Sequence, residues 1–149
     1  MEKKTRCDLG IIYLDQGNYK LAEECFKSAS DKGLKEAQFC LGFLYKEQEN
    51  YDLAKKYYKL ASDQGMMEAQ TNLGIIYYEQ GDYDLAEKYL KLGLKNGDSK
   101  AEYNLGLVYE AQQNYGLAEK HYKQALKEGM QEANIKLKEL YNKWQKNSL

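Results

Sequence analysis

Side chains able to do chemistry are few in this 149-residue chain. It has one histidine, His121, and three cysteines, Cys7, Cys25 and Cys40. Acid–base or nucleophilic catalysis needs a nucleophile, a base and an orienting group at compatible spacing, and no such constellation surrounds His121. An odd cysteine count with no Cys-x-x-Cys pair speaks against a disulfide framework or a zinc site, so no metal and no cofactor is expected. No glycine-rich phosphate loop is found either. What remains is recognition chemistry. Asn72 and Asn104 stand 32 residues apart, and an amide that both donates and accepts can hold the backbone of an extended peptide whatever its side chains.

The spacing that relates those two asparagines runs through the whole chain. Gly10, Gly42, Gly74 and Gly106 lie 32 apart, each preceded by Leu and followed three residues on by Tyr13, Tyr45, Tyr77 or Tyr109. Tyr19, Tyr51, Tyr83 and Tyr115 keep the same period, as do Ala22, Ala54, Ala86 and Ala118, and Gly33, Gly65, Gly97 and Gly129. Residues 37–68 and 69–100 are identical at 16 of 32 places. A period of this length is the signature of stacked supersecondary units.

Each unit reads as two helices. In the first, Ala69, Leu73, Ile76 and Tyr77 fall on one helical face between Glu68 and Gln80. Asn18, Asn50, Asp82 and Asn114 stand where a side-chain oxygen caps the second helix, and the glycine column from Gly33 to Gly129 suits the left-handed residue that stops it. Ser99 and Glu102 have the spacing of a capping box. Glycine inside a helix is costly, so the Gly10 column implies close approach of the second helix, with the Ala22 column as the expected opposing residue. Gln131–Lys146 repeats the first-helix pattern with Lys138 in the glycine place, as a polar capping helix would. The expected organisation is one domain over residues 1–149. It is all-α, with four antiparallel helix pairs (5–36, 37–68, 69–100 and 101–132) and a capping helix at 133–146.

Around the first helix of each unit, the face opposite the Leu/Tyr stripe carries Cys7, Asp8, Ile11 and Leu14, then Phe39, Cys40, Phe43 and Lys46. In the third and fourth units it carries Thr71, Asn72, Ile75 and Tyr78, then Tyr103, Asn104, Leu107 and Glu110. Phe39, Phe43, Ile75, Tyr78, Tyr103 and Leu107 are apolar where an outer face is ordinarily charged, which marks a binding surface. The same residues could instead touch one another along an inner seam, and the two asparagines could be simply solvated. Lys27, Lys59, Lys91 and Lys123 form a column that reads as a wet outer face, paired at helical spacing with nearby Glu23, Glu24, Glu87 and Glu119. His121 reads as structural, and the cysteines as small apolar fillers.

These motifs resemble the tetratricopeptide repeats, and in particular their Sel-like branch, over nearly the whole chain. Leu41-Gly42-x-x-Tyr45 followed by Ala54, Tyr58 and Ala61 is similar to the tetratricopeptide signature. The joint from Ala61 through Gly65 and Ala69 to Leu73-Gly74 is similar to the Sel-like one. The resemblance implies a right-handed α-solenoid whose first helices line a concave groove for a peptide or partner protein, without catalysis. The expected site is then Ile11, Phe39, Phe43, Asn72, Ile75, Tyr78, Tyr103, Asn104 and Leu107. The two-lysine carboxylate clamp of chaperone-binding members is not evident, since Lys46 lacks a basic neighbour. The alternative is a self-associating structural solenoid, a homo-oligomer.

A net charge of -1 gives no field for a phosphate backbone, so no nucleic acid is expected as partner. No apolar run reaches the length of a membrane span, and MEKKTRCDLGIIYL has too short an apolar stretch for a signal peptide, so the chain reads as cytoplasmic.

Overall fold

The computed structural model describes residues 2–149, and among them every regular element is a helix. The chain divides into two compact units, one ending at Gln70 and the other spanning Thr71–Leu149. The first contains α1 (Lys3–Asp15), α2 (Tyr19–Asp31), α3 (Lys35–Glu47), α4 (Tyr51–Asp63) and the start of α5 (Met67–Glu79). The second contains the rest of α5, then α6 (Tyr83–Lys95), α7 (Lys100–Ala111), α8 (Tyr115–Lys127) and α9 (Glu132–Asn147). Within the first unit α1 packs on α2, α2 on α3 and α3 on α4; within the second α6 packs on α7, α7 on α8 and α8 on α9. Short connections between helices of similar length enforce this neighbour-on-neighbour pairing.

The loops obey the expected chemistry. Asn18, Asn50, Asp82 and Asn114 each accept the backbone N–H three residues on, at 3.3 Å. The same residue also closes the helix before it: Asn18 N–H donates to Tyr13 O at 2.8 Å while Gly17 N–H donates to Leu14 O at 2.9 Å, a Schellman end. Gly17 and Gly81 take the left-handed conformation this requires. Glu49 and Gln113 hold the equivalent places with φ of 58° and 60°, a strain that glycine would avoid. The capping box is a correction. Ser99 makes no side-chain cap; Asp98 Oδ1 accepts the Lys100 N–H at 3.2 Å instead, and Glu102 turns to His121.

The core is the set of repeat columns. Ala22, Ala54, Ala86 and Ala118 are fully buried, as are Leu41, Leu73 and Leu105. The Gly10 column does mark the close approach of paired helices, but the opposing residue is not the alanine. A Cβ on Gly42 would meet the Tyr58 ring at 2.6 Å, one on Gly74 would meet Leu90 Cγ at 2.7 Å, and one on Gly106 would collide with the Tyr122 ring. The large residue one helical turn beyond the alanine fills the space that glycine leaves open.

Candidate functional site

Helix register divides each first helix between a core stripe and a second face. In the first unit that face leaves Ile11 and Phe43 each 41% exposed, and Phe39 half-buried with its ring tilted on Tyr58 at 5.6 Å. In the second unit Asn72, Ile75, Tyr78, Tyr103, Asn104 and Leu107 are all half-buried. There Ile75, Tyr78, Tyr103 and Leu107 rest on the core. Tyr103 tilts on Tyr122 at 5.7 Å and Tyr78 on Tyr83 at 5.9 Å. These rings are held by packing beneath them, which limits the rotamer freedom a contact would otherwise have to freeze. Burial raises the phenol pKa of both Tyr78 and Tyr103, with the Lys136 charge opposing it, so both hydroxyls stay protonated donors at neutral pH. Asn104 Nδ2 donates to Lys100 O at 3.0 Å, which steadies the amide on its own helix and leaves its oxygen as an acceptor.

Three residues of the expected face lie below the surface. Cys7 and Thr71 are buried, and so is Glu110. Cys7 and Cys40 share a thiol hydrogen bond, which lowers the Cys7 pKa; the same bond, with burial, raises that of Cys40. Cys25 is buried and its pKa raised by that burial, as a filler's would be. Glu110 accepts from Tyr122 Oη at 2.5 Å and from Lys143 Nζ at 2.8 Å, with Lys136 Nζ at 3.3 Å. Two lysines of α9 thus fasten the capping helix to Glu110 of α7. Asn147 Nδ2 donates to Tyr115 Oη at 2.7 Å, and Trp144 tilts on Tyr115, extending the seam. The available signal was an acid at a register place held elsewhere by Leu14, Lys46 and Tyr78.

The lysine column behaves as expected. Lys27, Lys91 and Lys123 pair with Glu23, Glu87 and Glu119, while Lys59 pairs with Asp63 because Lys55 occupies the glutamate place. A second role of those glutamates escaped sequence reasoning. Glu23 accepts from Tyr45 Oη and Glu87 from Tyr109 Oη, at 2.5 and 2.8 Å, so each glutamate ties one helix pair to the next. A recurrent 22-residue offset between the glutamate and tyrosine columns was its only trace. His121 stacks on Tyr109 at 5.3 Å and its Nδ1 lies 2.7 Å from Glu102 Oε2, a structural placement.

Near the C-terminal ends of α1 and α3, Leu14, Asp15, Tyr19, Phe43, Leu44, Glu47 and Gln48 line a cavity of about 470 Å³. No helix among the described residues is long and apolar enough to cross a membrane.

Models of the tetratricopeptide repeat match residues 4–31, 41–101 and 103–134. No curated protein matches the sequence. Among solved structures, a Sel1 repeat protein from Oxalobacter formigenes superposes with a TM-score of 0.80 at 24% identity, over 95% of this chain and 63% of that one. PilF of Pseudomonas aeruginosa gives 0.81 at 23% identity, over 97% and 69%. The protective antigen c5321 of uropathogenic Escherichia coli, which displays an SLR fold, gives 0.74 at 28% identity, over 86% and 31%. The chain thus spans less than two thirds of the first and third of these proteins.

Proposed function

The chain belongs to the tetratricopeptide repeat family, and from that premise we propose that it is a non-enzymatic adaptor whose first helices take a peptide segment or partner protein. Proteins of this family mediate protein–protein contacts and scaffolding, and their repeat fold is typically non-enzymatic. The observation that carries the finer reading is the apolar surface left on one face of the first helices, where Ile11 and Phe43 are each 41% exposed. Ile75 and Leu107 hold the same register place, and Tyr78 and Tyr103 stand one helical turn from it on the same face, their rings and aliphatic chains already braced from below. A fixed aromatic presented at a surface is the usual anchor of an interface. Asn72 and Asn104 supply the sequence-independent part, amides that read a backbone and set its register.

The test is affinity capture from the source cell with the parent and a Phe43→Ala/Tyr103→Ala protein side by side. Each truncation removes an anchor ordinarily worth more than about 1 kcal/mol of binding. Capture is expected to vanish in the double variant while its helicity stays that of the parent; retained capture overturns the assignment.

A second reading, self-association, draws on Ile12, 51% exposed on α1, and Ile135, 61% exposed on α9. Light scattering across concentration separates the two: a monomer supports the adaptor, and a tight dimer that protects Ile11 supports assembly.

A further inference from the structure

Resting on the adaptor reading, we propose that the cavity between the ends of α1 and α3 receives a basic side chain, arginine or lysine, carried beside an apolar residue of the bound segment. The walls are aromatic and aliphatic: Phe43 and Tyr19, 41% and 56% exposed, stand with Leu14 and Leu44. Its volume, about 470 Å³, falls within the roughly 300–1,000 Å³ of small-ligand clefts. The rim is acidic. Asp15 is the last residue of α1 and Glu47 the last of α3, so both carboxylates stand at helix ends that already carry partial negative charge. That is the end where a carboxylate is repelled, and Glu79 repeats the choice at the end of α5. Some acids on the second helices are neutralised, Glu23 by Lys27 and Asp63 by Lys59. Asp15 and Glu47 enter no ion pair among the described residues.

A cation entering this cavity meets both requirements at once. Its charge is matched by two carboxylates and two helix ends, and its stem or guanidinium plane lies against the Phe43 and Tyr19 rings, where a cation is attracted to the aromatic face. Arginine fits better than lysine, because its planar fork engages a carboxylate with two hydrogen bonds and stacks on a ring.

The experiment titrates the 15N-labelled full chain with N-acetyl-leucyl-arginine amide, and in parallel with the citrulline counterpart, which has the same shape without the charge. The arginine probe is expected to shift amides of residues 14–19 and 43–48, with the citrulline probe at least tenfold weaker. Asp15→Asn/Glu47→Gln, at exposed positions, should lose tenfold or more at unchanged helicity. Equal binding of the two probes to the parent overturns the proposal whatever the variant does, as do undisturbed amides in those segments or an unaffected double variant. If the arginine probe fails while Phe43→Ala/Tyr103→Ala still abolishes partner capture, the cation pocket falls and the adaptor stands. If the probe binds as expected while that variant retains capture, the pocket stands and the groove assignment falls.

Discussion

Replacing Glu110 with Ala tests whether the last helix is held by a buried ionic cluster. The carboxylate, 8% exposed, accepts from Tyr122, whose side chain is fully buried, and from Lys143, with Lys136 beside it. Truncation strands the Tyr122 hydroxyl away from water, which costs about 1–3 kcal/mol. Lys136 keeps Glu139 at 3.1 Å, and Lys143, its side chain 55% exposed, returns to solvent, so together they add about 1 kcal/mol at most. The expected loss is about 1–4 kcal/mol. With a urea slope of about 2 kcal/mol/M, the midpoint should fall by roughly 0.5–2 M, read by circular dichroism. Amide hydrogen exchange should rise first in α9, which supplies both lysines. Adding Tyr122→Phe removes the stranded hydroxyl and should recover about 1 kcal/mol. The charge gives the effect a pH dependence of definite sign. Burial pushes the Glu110 carboxyl pKa up, but hydrogen bonds from Lys143 and Tyr122 and the Lys136 charge outweigh it, leaving it below the ordinary 4.5. A depressed folded value gives stability that is present above 4.5 and lost as the pH falls through that folded value. The gap between the parent and Glu110→Gln should therefore narrow on acidification below 4.5. A Glu110→Ala midpoint within about 0.25 M of the parent, at the same slope, refutes the reasoning.

Two further predictions concern glycine and its substitutes. Gly74→Leu should destabilise by more than about 1 kcal/mol, because even its Cβ would meet Leu90 Cγ at 2.7 Å. Gly116→Ala on α8, where a Cβ meets nothing within 4 Å, should instead be neutral or stabilise by up to about 1 kcal/mol; thermal melts that rank the two the other way contradict the packing account. Gln113→Gly and Glu49→Gly should each raise stability by about 0.5–1 kcal/mol, since relief of a left-handed side chain exceeds the entropy that glycine adds. A fall in urea midpoint for both would show that those side chains are worth more than the strain they bear.

Helix pairing was legible in the sequence because it rests on residue types with one physical use. A buried Gly42 against a large residue, an Asn50 that ends one helix and caps the next, and a Gly65 with positive φ leave little choice of local structure. Contacts set by the crossing of two helices were not legible in this way. Spacing put Ala54 opposite Gly42, yet the ring of Tyr58, one turn further, covers it, because side-chain reach and direction decide the contact. Ser99 and Glu102 satisfied a local pattern, but a partner 19 residues away, His121, offered the carboxylate a stronger contact than the helix start did. Glu110 was missed for the same reason: its register place is on the open face, and Tyr122 of α8 with Lys136 and Lys143 of α9 meet it there. The apolar residues of the candidate face were legible as a set; how far each is open was not, since Phe39 and Tyr103 lie partly on rings of their own helix pair while Phe43 does not.

The tyrosine columns explain how such a face can vary without cost to the fold. Tyr45 stacks on Tyr57 of its own pair and donates its hydroxyl to Glu23 of the pair before; Tyr109 does the same with His121 and Glu87. Each of these residues therefore fastens a helix pair internally and to its neighbour at once, as nearest-neighbour stacking requires. Lys27, or Lys91, and then the hydroxyl hold each glutamate's pKa below its ordinary value, so these joints are charged and polar at their outer edge. Because stacking is secured from the stripe that carries glycine, leucine and tyrosine, the exposed places of Ile11 and Phe43 are released from that duty, while Ile75 and Leu107 in the same register still rest on the core. That register place holds Ile, Phe, Ile and Leu, three side-chain shapes across a strict 32-residue repeat. If a partner chose among them, a change at Ile11 or Phe43 should alter binding before it alters stability.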